Sequence, residues 1–424
     1  MQIIVVGAGL VGVTSAYRLQ RAGHSVTVVE REAGVACGAS QANGGMLTPS
    51  MADPWNAPGV WRELLHSLGH AEAPLLLRPR AIPSLLGWGL RFLGASTTRR
   101  YGENTARNLR LAAYSVSGMD ALRREEALEY GAATRGTLKI YRDAAAFDSG
   151  LRKSRTFGHP LVEVRALTAA QTVALEPGLT DIEGSLAGAL HFPGDEAGDA
   201  RLFTEVLGAA AERRGVRFLF GTAATRIIAD KQVRALATTA GDMPADAIVV
   251  AAGSQSAALL RGVGLRLPVA PVKGYSLTCE PSGTDAPPPL AIPVVDDALH
   301  AAVTPLGRRI RIAGTAEFTG FDLQLSPPRI ENLRRLLRAI LPRHADRLLA
   351  GNVVPWAGLR PMSADGVPCI GPCGPAGLYV NAGHGHLGWT MADGSARLLA
   401  DLVDHRPAAL EPRDYSPRRF RWAS

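Results

Sequence analysis

The opening stretch IIVVGAGLVGVTSAYRLQRAGHSVTVVERE admits few folds. Ile3 to Val6 is an apolar run of buried-strand length. Gly7, Gly9 and Gly12 follow as G-x-G-x-x-G. The first glycine permits a tight turn, the second lets a pyrophosphate approach the backbone, and the third lets a helix pack closely on the strand. The spacing predicts a helix from about Leu10 to Ala22, ended by Gly23, and a second strand from Ser25 to Val29 with Glu30 at its end. The helix N-terminus is an anion site. A carboxylate at position 30 accepts both ribose hydroxyls of an adenosine and repels a 2′-phosphate. With strand, helix and acid all in place, the glycine motif reads as a dinucleotide cradle.

Two later segments favour FAD over NAD. ADAIVVAAGSQSAALL (245–260) is a strand running into Ala251, Ala252 and Gly253 and then a helix. GLYVNAGHGHLGWTMADGSARLLADLV (377–403) repeats the pattern, with a helix beginning near Leu387. A helix N-terminus there stabilises negative charge, which a reduced flavin carries on its pyrimidine edge. A nicotinamide enzyme has no use for this third element.

The chain has 424 residues, enough for two domains. The pieces of the dinucleotide domain are spread along it. The expected fold class is α/β, a discontinuous Rossmann-like FAD-binding domain (1–50, 150–268 and 357–424) beside an α+β substrate domain. The latter is expected from 51–149 and 269–356, as a mixed sheet covered by helices. A cleft between two such domains is the default ligand site.

Composition narrows the function classes. The net charge is +8, but the arginines are scattered, with one knot at PRRFRW near the end, and no nucleic-acid motif is present. The cysteines Cys37, Cys279, Cys369 and Cys373 form neither a disulfide framework nor a zinc signature, so no metal is expected, and the C-x3-C pair Cys369 and Cys373 reads as buried free thiols. MQIIVVGAGL lacks a secretory leader's basic and apolar regions, and a cytoplasmic location is the expectation. No stretch approaches the roughly 18 apolar residues of a membrane span.

In WAGLRPMSADGVPCIG (356–371), Arg360 is the only basic residue among glycines, prolines and small apolar side chains. A buried cation needs an anionic partner. Asp365 and a substrate carboxylate are the two candidates.

The cradle with Glu30–Arg31, SQANGGMLTP (40–49), PVKGYSLT (271–278), the Arg360 motif and NAGHGHLGWTMADGS (381–395) together resemble the D-amino-acid dehydrogenases of the D-amino-acid oxidase superfamily. The likeness runs through nearly the whole chain in order. It implies oxidation of a D-amino acid by hydride transfer to flavin N5, giving an imino acid and then a 2-oxo acid and ammonia, with electrons passed to a quinone-type acceptor. It implies that Arg360 grips the substrate carboxylate. The cofactor-binding set it implies is Gly7, Gly9, Gly12, Glu30, Arg31, Ser40, Asn43, Gly44, Gly45, Met46, Ala224, Ala252, Gly253, Gly383, Gly385, Leu387 and Gly388. The 40–46 loop holds no His or Cys, so FAD held non-covalently is expected.

Tyr275 and His386 are further catalytic candidates, each set against a structural role, and Lys273 is expected to be solvated. Trp55 reads as packing or lid. APLLLRPRAIPSLLGWGLRFLG (73–94), with Trp88 and Phe92, is either a peripheral anchor on the inner face of the cell membrane or a covering helix pair. Two alternatives share the motifs: a dehydrogenase for D-proline or cis-4-hydroxy-D-proline, and a flavin-carrying subunit of a multi-subunit amine dehydrogenase. Chirality and side-chain preference are not written in spacing or composition.

Overall fold

The computed structural model describes residues 1–67, 73–281 and 288–420. Strand Gln2–Val6 pairs in parallel with Ser25–Val29 on one side and Ala247–Val250 on the other. Arg217–Leu219 and Leu378–Ala382 extend this sheet in parallel, and Cys369–Pro372 closes one edge antiparallel. Helices Leu10–Arg21, Ala200–Arg213 and Gly388–Val403 pack on one face around Val5, Val28, Val249, Leu207 and Leu399. A three-stranded meander from Ala224 to Pro244 covers the other, around Ile4, Val250, Leu236 and Val380. Alternate residues of the first strand thus feed two cores, as a sheet buried on both faces requires.

The second sheet is mixed. Val269–Glu280 pairs antiparallel with Asn352–Ser363 and with Arg309–Phe318. Beyond these lie Ala301–Leu306, Val294–Asp296, Thr137–Tyr141, Gly188–Phe192 and Arg165–Leu167, with Leu75–Leu77 added beside Arg309–Phe318. Helices Pro327–Ile340 and Pro342–Leu349 bury Leu333, Leu337 and Leu348 against one face. The other face meets the dinucleotide domain.

The sequence boundaries of the domains need correction in three places. Gly188–Phe192 and Arg165–Leu167, expected in the dinucleotide domain, belong to the substrate sheet because Gly188–Phe192 pairs with Thr137–Tyr141. Helices Thr98–Val116 and Met119–Glu126, expected in the substrate domain, bury Leu111, Val116, Met119 and Leu122 in the dinucleotide-domain core. The boundary at 357 cuts through a strand that runs unbroken from Asn352 to Ser363.

Candidate active site

One cavity of about 1780 Å³ runs between the two sheets. At one end is the glycine turn. Gly7 has φ +105°, and a side-chain carbon there would lie 2.7 Å from the Ala251 carbonyl oxygen. Gly12 does not line the cavity. A Cβ on it would sit 1.9 Å from the Gly7 oxygen, so it sets how closely the helix meets the turn. Helix Leu10–Arg21 has no side-chain cap at Gly9, and Ser40 Oγ accepts from Leu10 N at 3.1 Å. Glu30 is held in place by two amides: Ala8 N donates to Oε2 at 2.6 Å and Glu32 N to Oε1 at 2.9 Å. Arg31, Ala224, Ala252 and Gly253 line the same end.

The 40–47 loop crosses the middle, clamped from the substrate sheet. Ser276 Oγ donates to the Ala42 carbonyl (2.8 Å), Thr304 Oγ1 to that of Gly44 (2.7 Å), and Arg311 Nη1 to that of Asn43 (3.2 Å). Asn43 Oδ1 accepts from Gly45 N at 3.0 Å, and Gly45 takes φ +71°. Ser40, Asn43, Gly44, Gly45 and Met46 all line the cavity. The clamping residues Ser276, Thr304 and Arg311 were not legible beforehand, because only the sheet register brings them to this loop.

At the far wall, the turn before helix Gly388–Val403 presents Gly385, His386 and Gly388 to the cavity, and this helix also lacks a side-chain cap. Gly383 and Leu387 stand behind the wall instead. Gly383 packs against Val269 and Ser363, and Leu387 is buried in the core. His384 is buried, with Nε2 3.2 Å from Ser395 Oγ, and burial pushes its pKa down to about 3. His386 Nε2 lies 3.3 Å from the Met51 carbonyl oxygen. Burial, then the nearby Arg360 charge, pushes its pKa down to about 4, so it is neutral at pH 7.

Arg360 lies beside this turn. Its strand position faces Val272, and its guanidinium lies over Gly274, where an added Cβ would be 2.0 Å from Nη1. The guanidinium carbon is 5.4 Å from the Trp55 ring centroid, and Trp55 stacks on His386 at 5.1 Å. Nη1 is buried with no hydrogen-bond partner, and among the described residues no carboxylate pairs with Arg360. Asp365 is bound instead by Arg419, at 2.7 and 2.9 Å. Burial lowers the Arg360 pKa to about 10, which leaves it a cation at neutral pH. A part-buried guanidinium with no carboxylate partner, facing a cavity, offers two parallel donors that suit a carboxylate.

Two candidates point elsewhere. Tyr275 and Lys273 stand on the opposite face of their strand from Gly274 and Ser276, as period-two alternation dictates. Tyr275 is buried among Leu277, Leu333 and Leu337, and its hydroxyl donates to Glu317 Oε2 at 2.6 Å. Its hydroxyl is taken up by Glu317, although the residue also borders the cavity. Lys273 is buried rather than solvated, with Nζ on the Gln324 carbonyl. Cys369 and Cys373 are buried free thiols, as is Cys279, while Cys37 is free and exposed on the cavity lining. The described residues hold no group of His, Cys, Asp and Glu fit for a metal ion.

The family described as FAD dependent oxidoreductase (DAO) matches residues 2–402. The chain belongs to this family of FAD-dependent oxidoreductases. The D-amino acid dehydrogenase of Paramagnetospirillum magneticum is 42% identical over 99% of both chains. Glycine oxidase from Geobacillus kaustophilus superposes with a TM-score of 0.76 at 25% identity, covering 98% of both chains. L-proline dehydrogenase from P. horikoshii shares the fold at the same TM-score and 19% identity, over 99% of this chain and 97% of the other.

FAD fits what the residues offer. Glu30 would hold the adenosine ribose, and the N-terminus of helix Leu10–Arg21, with Ser40 Oγ beside Leu10 N, would face the pyrophosphate. The uncapped start of Gly388–Val403 suits the flavin's anionic edge. The Trp389 indole N–H, at that helix start and on the cavity wall, is buried without a partner.

Proposed function

We propose that the protein oxidises a D-amino acid to its imino acid, which water hydrolyses to a 2-oxo acid and ammonia. The observation that carries this reading is the unpartnered Arg360 guanidinium in the same cavity as the FAD cradle. Two parallel donors hold the substrate carboxylate and fix the α-carbon. Trp55 packs over the cation and limits its swing. Neutral His386 adds no competing positive charge beside it. The substrate reacts with its amine deprotonated, and the nitrogen lone pair forms the C=N bond, so no side-chain base is required. When bound, FAD supplies the two-electron acceptor for the hydride leaving the α-carbon, and we propose a quinone-type acceptor to reoxidise it. The D configuration rests on the dehydrogenase relatives. Non-covalent attachment is supported by the absence of His and Cys between Ser40 and Met46.

The test is anaerobic mixing of the purified holoenzyme with D- and L-amino acids, D-proline included. D-Amino acids should bleach the flavin absorbance and their L-enantiomers should not. Bleaching by L-enantiomers alone, or by D-proline alone, overturns the substrate assignment.

We further propose that the helix Ile82–Gly94 rests on an anionic membrane surface. Trp88 and Phe92 turn inward, as in the covering-helix alternative: Trp88 Nε1 donates to the Met362 carbonyl at 3.0 Å and its ring stacks on Phe92. The outer face instead bares Leu86 (58% exposed) and Leu90 (65%), beside the exposed Arg80 and Arg91. Apolar side chains among arginines complement an anionic lipid headgroup layer. No helix among the described residues is long and apolar enough to cross a membrane. Sedimentation with phosphatidylglycerol vesicles should be lost in the double variant Leu86→Ser, Leu90→Ser. Unchanged sedimentation contradicts the assignment.

A further inference from the structure

Two ion pairs line the same cavity as Arg360. Asp53, two residues before Trp55, pairs with Lys153 at 2.9 Å. Lys139 pairs with Asp297 at 2.7 Å. All four line the same cavity as Arg360, and all four are partly exposed. Tyr141 joins the two pairs. It shares a strand face with Lys139, whose Nζ lies 5.4 Å from its ring. Its hydroxyl sits against Gly150, where a Cβ would be 2.2 Å away, one helical turn before Lys153. Lys153 Nζ also donates to Tyr101 Oη at 3.1 Å. The chain has only four lysines, and two of them are here.

We propose that the Asp53–Lys153 and Lys139–Asp297 pairs form a receiving site for the zwitterion of an incoming amino acid. In it the ammonium meets an aspartate and the carboxylate a lysine before the carboxylate passes to Arg360. The inference rests on the amino-acid substrate proposed above. Partly exposed ion pairs contribute little to stability, so opening one costs little. A zwitterion replaces each broken contact with one of the same kind, and its desolvation is spread over two stages. The ammonium then gives its proton to water, leaving the free amine that the oxidation requires. A flexible lysine suits this transient role, whereas the rigid fork of Arg360 suits the final one.

The experiment is rapid anaerobic mixing of holoenzyme with D-alanine, with propionate, its counterpart lacking the amine, as competitor. The variants are Asp53→Asn and Lys153→Met. Each should lower the second-order rate constant at low D-alanine by about fivefold, within the range of electrostatic capture, while the limiting rate of flavin reduction at saturation stays within about twofold. Propionate inhibition should weaken in Lys153→Met but not in Asp53→Asn, a split that a merely structural pair would not produce. Unchanged capture, or limiting rates that fall in step with capture, overturns the receiving site. So does equal weakening of D-alanine and propionate by Asp53→Asn. A wild-type protein that no amino acid bleaches removes the proposed function, and this inference with it.

Discussion

Arg419 holds Asp365 with two hydrogen bonds, Nε to Oδ2 at 2.7 Å and Nη2 to Oδ1 at 2.9 Å. This clasp takes up the carboxylate nearest in sequence to Arg360. Arg419 also donates to the carbonyls of Val367, Pro368, Tyr415 and Ser416, so it pins the C-terminal segment to the 365–368 loop. Arg419→Leu leaves a half-buried carboxylate and several carbonyls unpaired. It should cost about 3 kcal/mol, read as a lower midpoint of chemical unfolding. A midpoint within error of wild type contradicts this.

Gly274 makes room for the Arg360 guanidinium. In Gly274→Ala the new methyl would lie 2.0 Å from Nη1, so the fork must move. The nearest contacts are side-chain atoms of Arg360, so the fold should survive. A displaced clamp should raise the KM for amino acid by roughly tenfold to a hundredfold, with FAD content unchanged. Equal KM values, or loss of FAD, would show that the guanidinium is placed by something else.

Asp195 is buried and accepts from Ser50 Oγ at 2.5 Å, Ser50 N at 3.3 Å and Thr137 Oγ1 at 2.6 Å. Burial, opposed by these donors and aided by the neighbouring Glu196, pushes its pKa from 3.8 up to about 7. Between those values the folded chain keeps a proton that the unfolded chain has lost, so stability falls as pH rises through this window. Unfolding midpoints should therefore show wild type losing ground to Asp195→Asn from about pH 4 to about pH 7, with a constant difference above that. A pH-independent difference would place its pKa near that of a free aspartate.

The dinucleotide cradle was legible because local chemistry dictates it. Gly7, Gly12 and Glu30 act within one strand-turn-helix unit, and Ser25–Val29 forms as the pattern predicts. Arg360 was legible for a related reason, since a lone cation in an apolar run asks for a partner. The catalytic and structural roles of Tyr275 could not be told apart beforehand, because the motif carries no information about strand face or about the distant Glu317 that takes its hydroxyl. The same holds for Gly188–Phe192, whose partner strand lies some fifty residues away and leaves no local trace. Asp53 and Lys153 are a hundred residues apart, and neither sits in a motif; their pairing is a product of tertiary packing alone.

The central claim is that Arg360 holds the carboxylate of an amino acid that reduces the bound flavin. The most direct measurement is anaerobic flavin reduction by D-amino acids in wild type and in Arg360→Leu, with FAD content read from the oxidised spectrum. Removing a charge-assisted, bidentate contact costs about 2–5 kcal/mol, so the apparent dissociation constant should rise by at least about thirtyfold while FAD content is kept. Reduction by amino acid at undiminished affinity in Arg360→Leu would contradict the account.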